Sequence, residues 1–182
     1  MALRKILLEG DSTLRKKSRE VTKFDTRTQE LIEDMFETMR QEDGLGLAAP
    51  QVGILKRVFV MEAMEDNEAT AFINPIIIDE NGEQTGAEGC LSLPGLFGIV
   101  SRPEEIRVRA QDPSGEEFEK TYTGLEARCV CHEIDHLNGI LYRDKAEDGL
   151  HKLESEEEPS ENGNGDASEE GKVEMKVADS DA

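Results

Sequence analysis

Positive charge is scarce in this chain of 182 residues, where 21 Lys and Arg face 41 Asp and Glu for a formal charge of −20. Phosphate backbones and anionic membrane surfaces repel such a chain, which argues against direct nucleic-acid binding. The acidic excess serves solubility or tolerance of salt before it serves any particular cationic partner. Long apolar runs are missing as well. Ile6-Leu7-Leu8 is too short for a signal core or a membrane span, and Glu9 and Asp11 follow directly. Cysteines number three (Cys90, Cys129, Cys131), and an odd count in a chain expected to stay unexported favours thiols for metal, catalysis or packing over disulfides. A reducing cytoplasm is the expected setting. No internal repeat is visible. The length suits one domain with a real core and a tail, although 36% apolar and 34% charged residues are low and high for a compact globule.

Residues 1–24 read as an irregular arm, with the short basic run Leu14-Arg15-Lys16-Lys17 at its surface. Over 28–41 the apolar positions Leu31, Ile32, Met35, Phe36 and Met39 recur at three- and four-residue spacing, which predicts an amphipathic helix stopped by Gly44. Residues 44–53 are mostly small, with the amide of Gln51 among them. Such a stretch is either a tight turn or a place where backbone approaches a ligand closely. It lacks the Lys-Ser/Thr of a phosphate loop. Strands are expected over 57–61, 71–79, 106–110 and 118–122, with an exposed acidic connection at 62–68. Residues 83–88 continue the sheet toward a Gly- and Pro-marked turn. A second helix, opened by Thr123 or Gly124, should run from 125 to about 141. The fold class is therefore α+β, with antiparallel sheets packed around a central metal-binding helix and an N-terminal helix before them. The domain is expected to cover 1–148. Residues 149–182 hold eleven acidic and three basic residues, a net of −8, and should form a disordered acidic tail.

The most specific stretch is His132-Glu133-Ile134-Asp135-His136. On a helix, residues four apart share a face, so the two imidazoles can hold one metal ion while Glu133 handles the proton of a bound water. Such a site usually needs a third protein ligand. Gly139 fits the metzincin extension, but Tyr142 stands where its third histidine belongs, and the downstream glutamates of a thermolysin-type site fall in the tail. His151 has the right chemistry at the tail's edge. Cys90, 42 residues upstream of His132 and preceded by Gly89, offers a thiolate suited to zinc or ferrous iron, or else a buried structural thiol. Cys129 shares the face of His132 and could line the site, whereas Cys131 points about 100° away.

Three stretches in order, 44–51 (Gly-Leu-Gly-Leu-Ala-Ala-Pro-Gln), 88–92 (Glu-Gly-Cys-Leu-Ser) and 132–136, resemble the three signatures of the peptide deformylase family. The resemblance covers roughly residues 1–145, with softer matches at Leu14-Arg15-Lys16, Asn74-Pro75 and Arg102. Cys131 stands where the family often has Gln, and the tail has no counterpart. The resemblance implies a hydrolase that removes the formyl group from the N-terminal formyl-methionine of new polypeptides. It implies ferrous iron, with zinc, nickel or cobalt as alternatives, held by Cys90, His132 and His136. Glu133 would move the proton, and the Gln51 amide and Leu91 backbone N–H would hold the oxyanion. The extended substrate would pair near Gly46, with Leu45, Gly89 and Cys129 beside it, and Glu88 and Arg102 would form either a supporting ion pair or a surface contact. Expected partners are formylmethionyl nascent chains, met by a monomer in transient proximity to the ribosome, with no nucleic-acid contact by the tail and no membrane. A general metalloendopeptidase and a non-catalytic metal-stabilised module are the rivals. The first lacks its usual third ligand, and the second needs neither Glu133 nor Gln51.

Overall fold

The computed structural model describes residues 2–63 and 68–153. Its elements are α1 (Thr26–Gln41), β1 (Gly46–Ala48), β2 (Val58–Glu62), β3 (Ala69–Asn81), β4 (Gln84–Cys90), β5 (Leu93–Arg102), β6 (Glu105–Gln111), β7 (Glu117–Thr123), α2 (Gly124–Leu137) and β8 (His151–Lys152). Short 3₁₀ turns lie at Ser12–Arg15, Ala49–Val52 and Tyr142–Asp144. The strands form two antiparallel sheets, ordered β1-β2-β3-β6-β7 and β4-β5-β8. This is the α+β class the sequence predicts.

Two cores share the larger sheet. Val58-Phe59-Val60-Met61 is buried throughout, and its alternating side chains serve opposite faces. Phe59 and Met61 pack with Phe72, Ile106, Tyr122 and the α2 residues Val130, Ile134 and Leu137. Val58 and Val60 pack with Leu31, Ile32, Met35 and Met39 of α1. A third cluster, Leu14, Leu93, Val100, Leu141 and Tyr142, sits under the smaller sheet. Helix α2 is thereby enclosed, with every residue from Ala127 to Leu137 buried. Neither helix is long and apolar enough to cross a membrane.

Several boundaries differ from the sequence expectation for local reasons. Asp25 starts α1 early because its carboxylate accepts the Thr28 N–H at 3.1 Å. The helix ends with Asp43, not Gly44, in the left-handed conformation (φ 52°), while the Gly44 N–H reaches the Met39 carbonyl at 2.9 Å. Helix α2 stops at Leu137, short of 141, because Gly139 (φ 74°) turns the chain and the Ile140 N–H caps the Asp135 carbonyl at 3.0 Å. Strand β5 was unforeseen, since Gly89, Pro94 and Gly95 read as a turn. The β4–β5 register jumps from Gly89 opposite Phe97 to Cys90 opposite Leu93, so Pro94 falls in the irregularity and breaks no ladder bond there. Residues 150–153 still pack on these elements. β8 pairs with Leu96 and Phe97, Leu150 packs on the third cluster, and the Leu153 N–H donates to the Gly95 carbonyl at 2.9 Å. Residues 154–182, expected to be disordered, lie outside the described residues, as do 64–67 of the acidic connection.

Candidate metal centre and peptide cleft

Three separate stretches converge on one cavity of about 510 Å³ between β1, the β4–β5 hairpin and α2. Along α2, Leu125, Arg128, Cys129, His132 and Glu133 line it at three- and four-residue spacing, so one helical face builds one wall. Cys90 enters from the end of β4, its sulfur 3.2 Å from His136 Nε2. Ligand atoms of Cys90, His132 and His136 all lie within 4.8 Å of one another, close enough to hold one ion. Of the rival third ligands, His151 is exposed on β8 against the Phe97 ring, and Cys131 is buried off that face.

The histidine tautomer follows from the hydrogen bonds. His132 Nδ1 lies 2.9 Å from Glu88 Oε2, and as the donor to that carboxylate it leaves the Nε2 lone pair for a metal. Glu88 also receives Arg102 Nε at 2.8 Å, Arg102 Nη2 at 3.0 Å and Arg128 Nη1 at 3.0 Å. Arg102 reaches on to Asp135 Oδ2 at 2.6 Å, and Lys145 Nζ lies 2.7 Å from that oxygen and 3.0 Å from Oδ1. Burial works to raise the Glu88 pKa, but the bonds from Arg102 and His132 outweigh it and hold the carboxyl at about 2. The Glu88–Arg102 pair is thus an interior bridge, not a surface contact. Arg128 and Asp135 were missed in the sequence, although Arg128 stands four residues before His132 on a face that should be apolar.

Glu133 is set differently. Burial pushes its carboxyl up to about 7, with His132 opposing and Glu88 reinforcing, and its Oε2 has no partner among the described residues. Burial also holds His136 low and the Cys129 thiol high, so both stay neutral. Gly46 fits tightly here, because a Cβ on it would lie 2.7 Å from Glu133 Oε1 and 2.9 Å from Cys129 Sγ. Gln51 is oriented by the Ala48 N–H, which donates to its Oε1 at 2.8 Å and so turns Nε2 toward Ser92 Oγ (3.2 Å) and Cys90 Sγ (3.5 Å). The N-terminal arm laces these loops, the Leu7 N–H donating to the Gln51 carbonyl at 2.7 Å and the Glu9 N–H to that of Ser92 at 2.8 Å. Leu45 and Gly89 are among the residues lining the cavity, and Leu91, next to Cys90, leaves its N–H without a backbone acceptor among the described residues.

Comparison with known proteins agrees with this geometry. The family model described as polypeptide deformylase matches residues 3–152. A peptide deformylase of Lachnoclostridium phytofermentans is 49% identical over 162 residues, covering 88% of this chain and 99% of its own. One from Clostridium botulinum is 54% identical over 145 residues, covering 80% and 97%. The crystal structure of a peptide deformylase from Legionella pneumophila superposes with a TM-score of 0.77 at 46% identity, over 79% of this chain and 86% of that one. A family match over nearly all the described residues, with relatives at about half identity along almost their full length, means that the chain belongs to the peptide deformylase family.

Proposed function

We propose that Glu133, Gln51 and the Leu91 backbone N–H share the work of hydrolysing a formamide held beside Cys90, His132 and His136. The reaction is removal of the formyl group from the N-terminal formyl-methionine of newly made polypeptides, with release of formate. The observation that carries the residue roles is the convergence of Gln51, Cys90 and the α2 motif on one cavity. One thiolate and two imidazoles within mutual reach fit ferrous iron, with zinc, nickel or cobalt as alternatives. When bound, such an ion polarises the carbonyl and lowers the pKa of water.

Glu133, buried and poised near neutrality, takes the proton of the attacking water and delivers it to the leaving amine. Gln51 Nε2 donates to the developing oxyanion, its rotation fixed beforehand by Ala48. The Leu91 N–H is the second donor. Glu88 keeps His132 in the tautomer a metal needs. The peptide extends along β1, a strand at the edge of its sheet, and pairs near Gly46 with Leu45, Gly89 and Cys129 around its first side chain. In this reading the chain works as a cytoplasmic monomer close to emerging nascent chains, without nucleic-acid contact by its tail.

Formyl-Met-Ala-Ser given to anaerobically prepared protein should yield formate and intact Met-Ala-Ser in equal amounts. Scission of the Met–Ala bond instead would assign the site to a metalloendopeptidase.

A further inference from the structure

Arg128 is almost fully buried on α2, at a position of the helical face where the pattern calls for an apolar side chain. Burying a guanidinium is costly unless its donors are used, and here both terminal nitrogens find acceptors. Nη1 donates to the Val100 carbonyl at 2.8 Å, to Glu88 Oε1 at 3.0 Å and to the Gly86 carbonyl at 3.2 Å. Nη2 reaches the carbonyl and side-chain oxygens of Gln84, each at 3.4 Å. The acceptors span β4 and β5, whereas the side chain springs from α2. These are opposite walls of the cleft, one bearing Cys90 and the other His132 and Glu133. Gly86 leaves room for this, since a Cβ there would sit 3.3 Å from Nη2.

We infer that Arg128 is a positioning residue that straps the α2 wall to the β4–β5 wall and so fixes the floor of the pocket for the substrate's first side chain. The inference rests on the cleft being the peptide site proposed above. An apolar residue of similar volume would fill the space but would leave the walls free to part. A long first side chain would then lose its contacts, whereas a short one that never reaches the floor would lose little.

The test uses the metal-loaded full chain and three variants. Arg128→Met keeps the stem and drops the guanidinium, Arg128→Lys keeps a charge, and Gly86→Ala presses on the guanidinium from the far side. Calorimetric affinity for Met-Ala-Ser should fall about tenfold in Arg128→Met, while that for Ala-Ala-Ser changes less than about twofold, as suits a pocket losing methylene-sized contacts. KM for formyl-Met-Ala-Ser should rise by the same factor with kcat within about threefold, Gly86→Ala should move the same way but less, and Arg128→Lys should recover most of the loss. Parallel loss for both peptides, or no change in protein of native circular dichroism, overturns the inference. If Arg128→Met does not fold, Gly86→Ala and Arg128→Lys decide by the same affinity ratio. Binding needs no turnover, so a wild-type chain that releases no formate refutes the reaction and leaves the strap to be judged by the peptides.

Discussion

Adding a single methyl group at Gly46 should disable the site without unfolding the protein. The backbone there does not have a positive φ, so alanine is conformationally allowed. The obstacle is contact. The new Cβ would sit 2.7 Å from Glu133 Oε1, 2.9 Å from Cys129 Sγ and 3.0 Å from Glu133 Cδ, whereas ordinary contact begins at 3.4 Å. Both neighbours belong to the buried helix α2, which cannot swing away, so the carboxylate must retreat by about 0.7 Å. Displacement of a reacting group by about 1 Å typically costs on the order of a hundredfold in rate. The overpacking itself should cost about 1–3 kcal/mol of stability. Formate-release kinetics, thermal unfolding and metal analysis together separate these effects. Expected are a kcat about a hundredfold down, a modestly raised KM and unchanged metal content, since no ligand atom is touched. A kcat within threefold of wild type would show that Glu133 is not held where its role requires.

Arg102→Met leaves Glu88 and Asp135 buried with less compensation, and urea unfolding should show a loss of about 3–5 kcal/mol. A loss under 1 kcal/mol would mean that Arg128 and Lys145 suffice. Gly139→Ala forces a side chain into the left-handed region with its Cβ 2.6 Å from the Arg15 carbonyl oxygen, and should cost about 2 kcal/mol or more by thermal unfolding. Truncation after residue 153 should leave the rate on short peptides within about twofold, whereas truncation after 148 removes β8 and Leu150 and should lower the melting temperature. Equal behaviour of the two truncations would place the end of the domain elsewhere.

How much of this was legible in the sequence depended on the range of the signal. The α1 stripe and the 132–136 spacing are local periodicities, and both landed where expected. Boundaries set by single backbone conformations were not readable, as Asp43 taking a left-handed turn beside an available glycine illustrates. β5 was hidden because Pro94 and two glycines carry turn signals that a register break absorbs. Local chemistry could not rank Cys90 above its rivals, since only the packing of the smaller sheet over α2 brings that sulfur to His136. The family resemblance supplied what periodicity could not. Arg128 and Asp135 could have been suspected, being charged residues on an otherwise buried helix, but their partners lie on β4, β5 and beyond α2 and come only from the fold.

If Glu133 moves the proton while Cys90, His132 and His136 hold the metal, the two roles can be separated by substitution. Formate release by Glu133→Gln, measured on protein of known metal content, tests it most directly. The variant should keep metal at the wild-type ratio and lose about two to four orders of magnitude in kcat. Full turnover with metal bound would mean that Glu133 does not carry the proton.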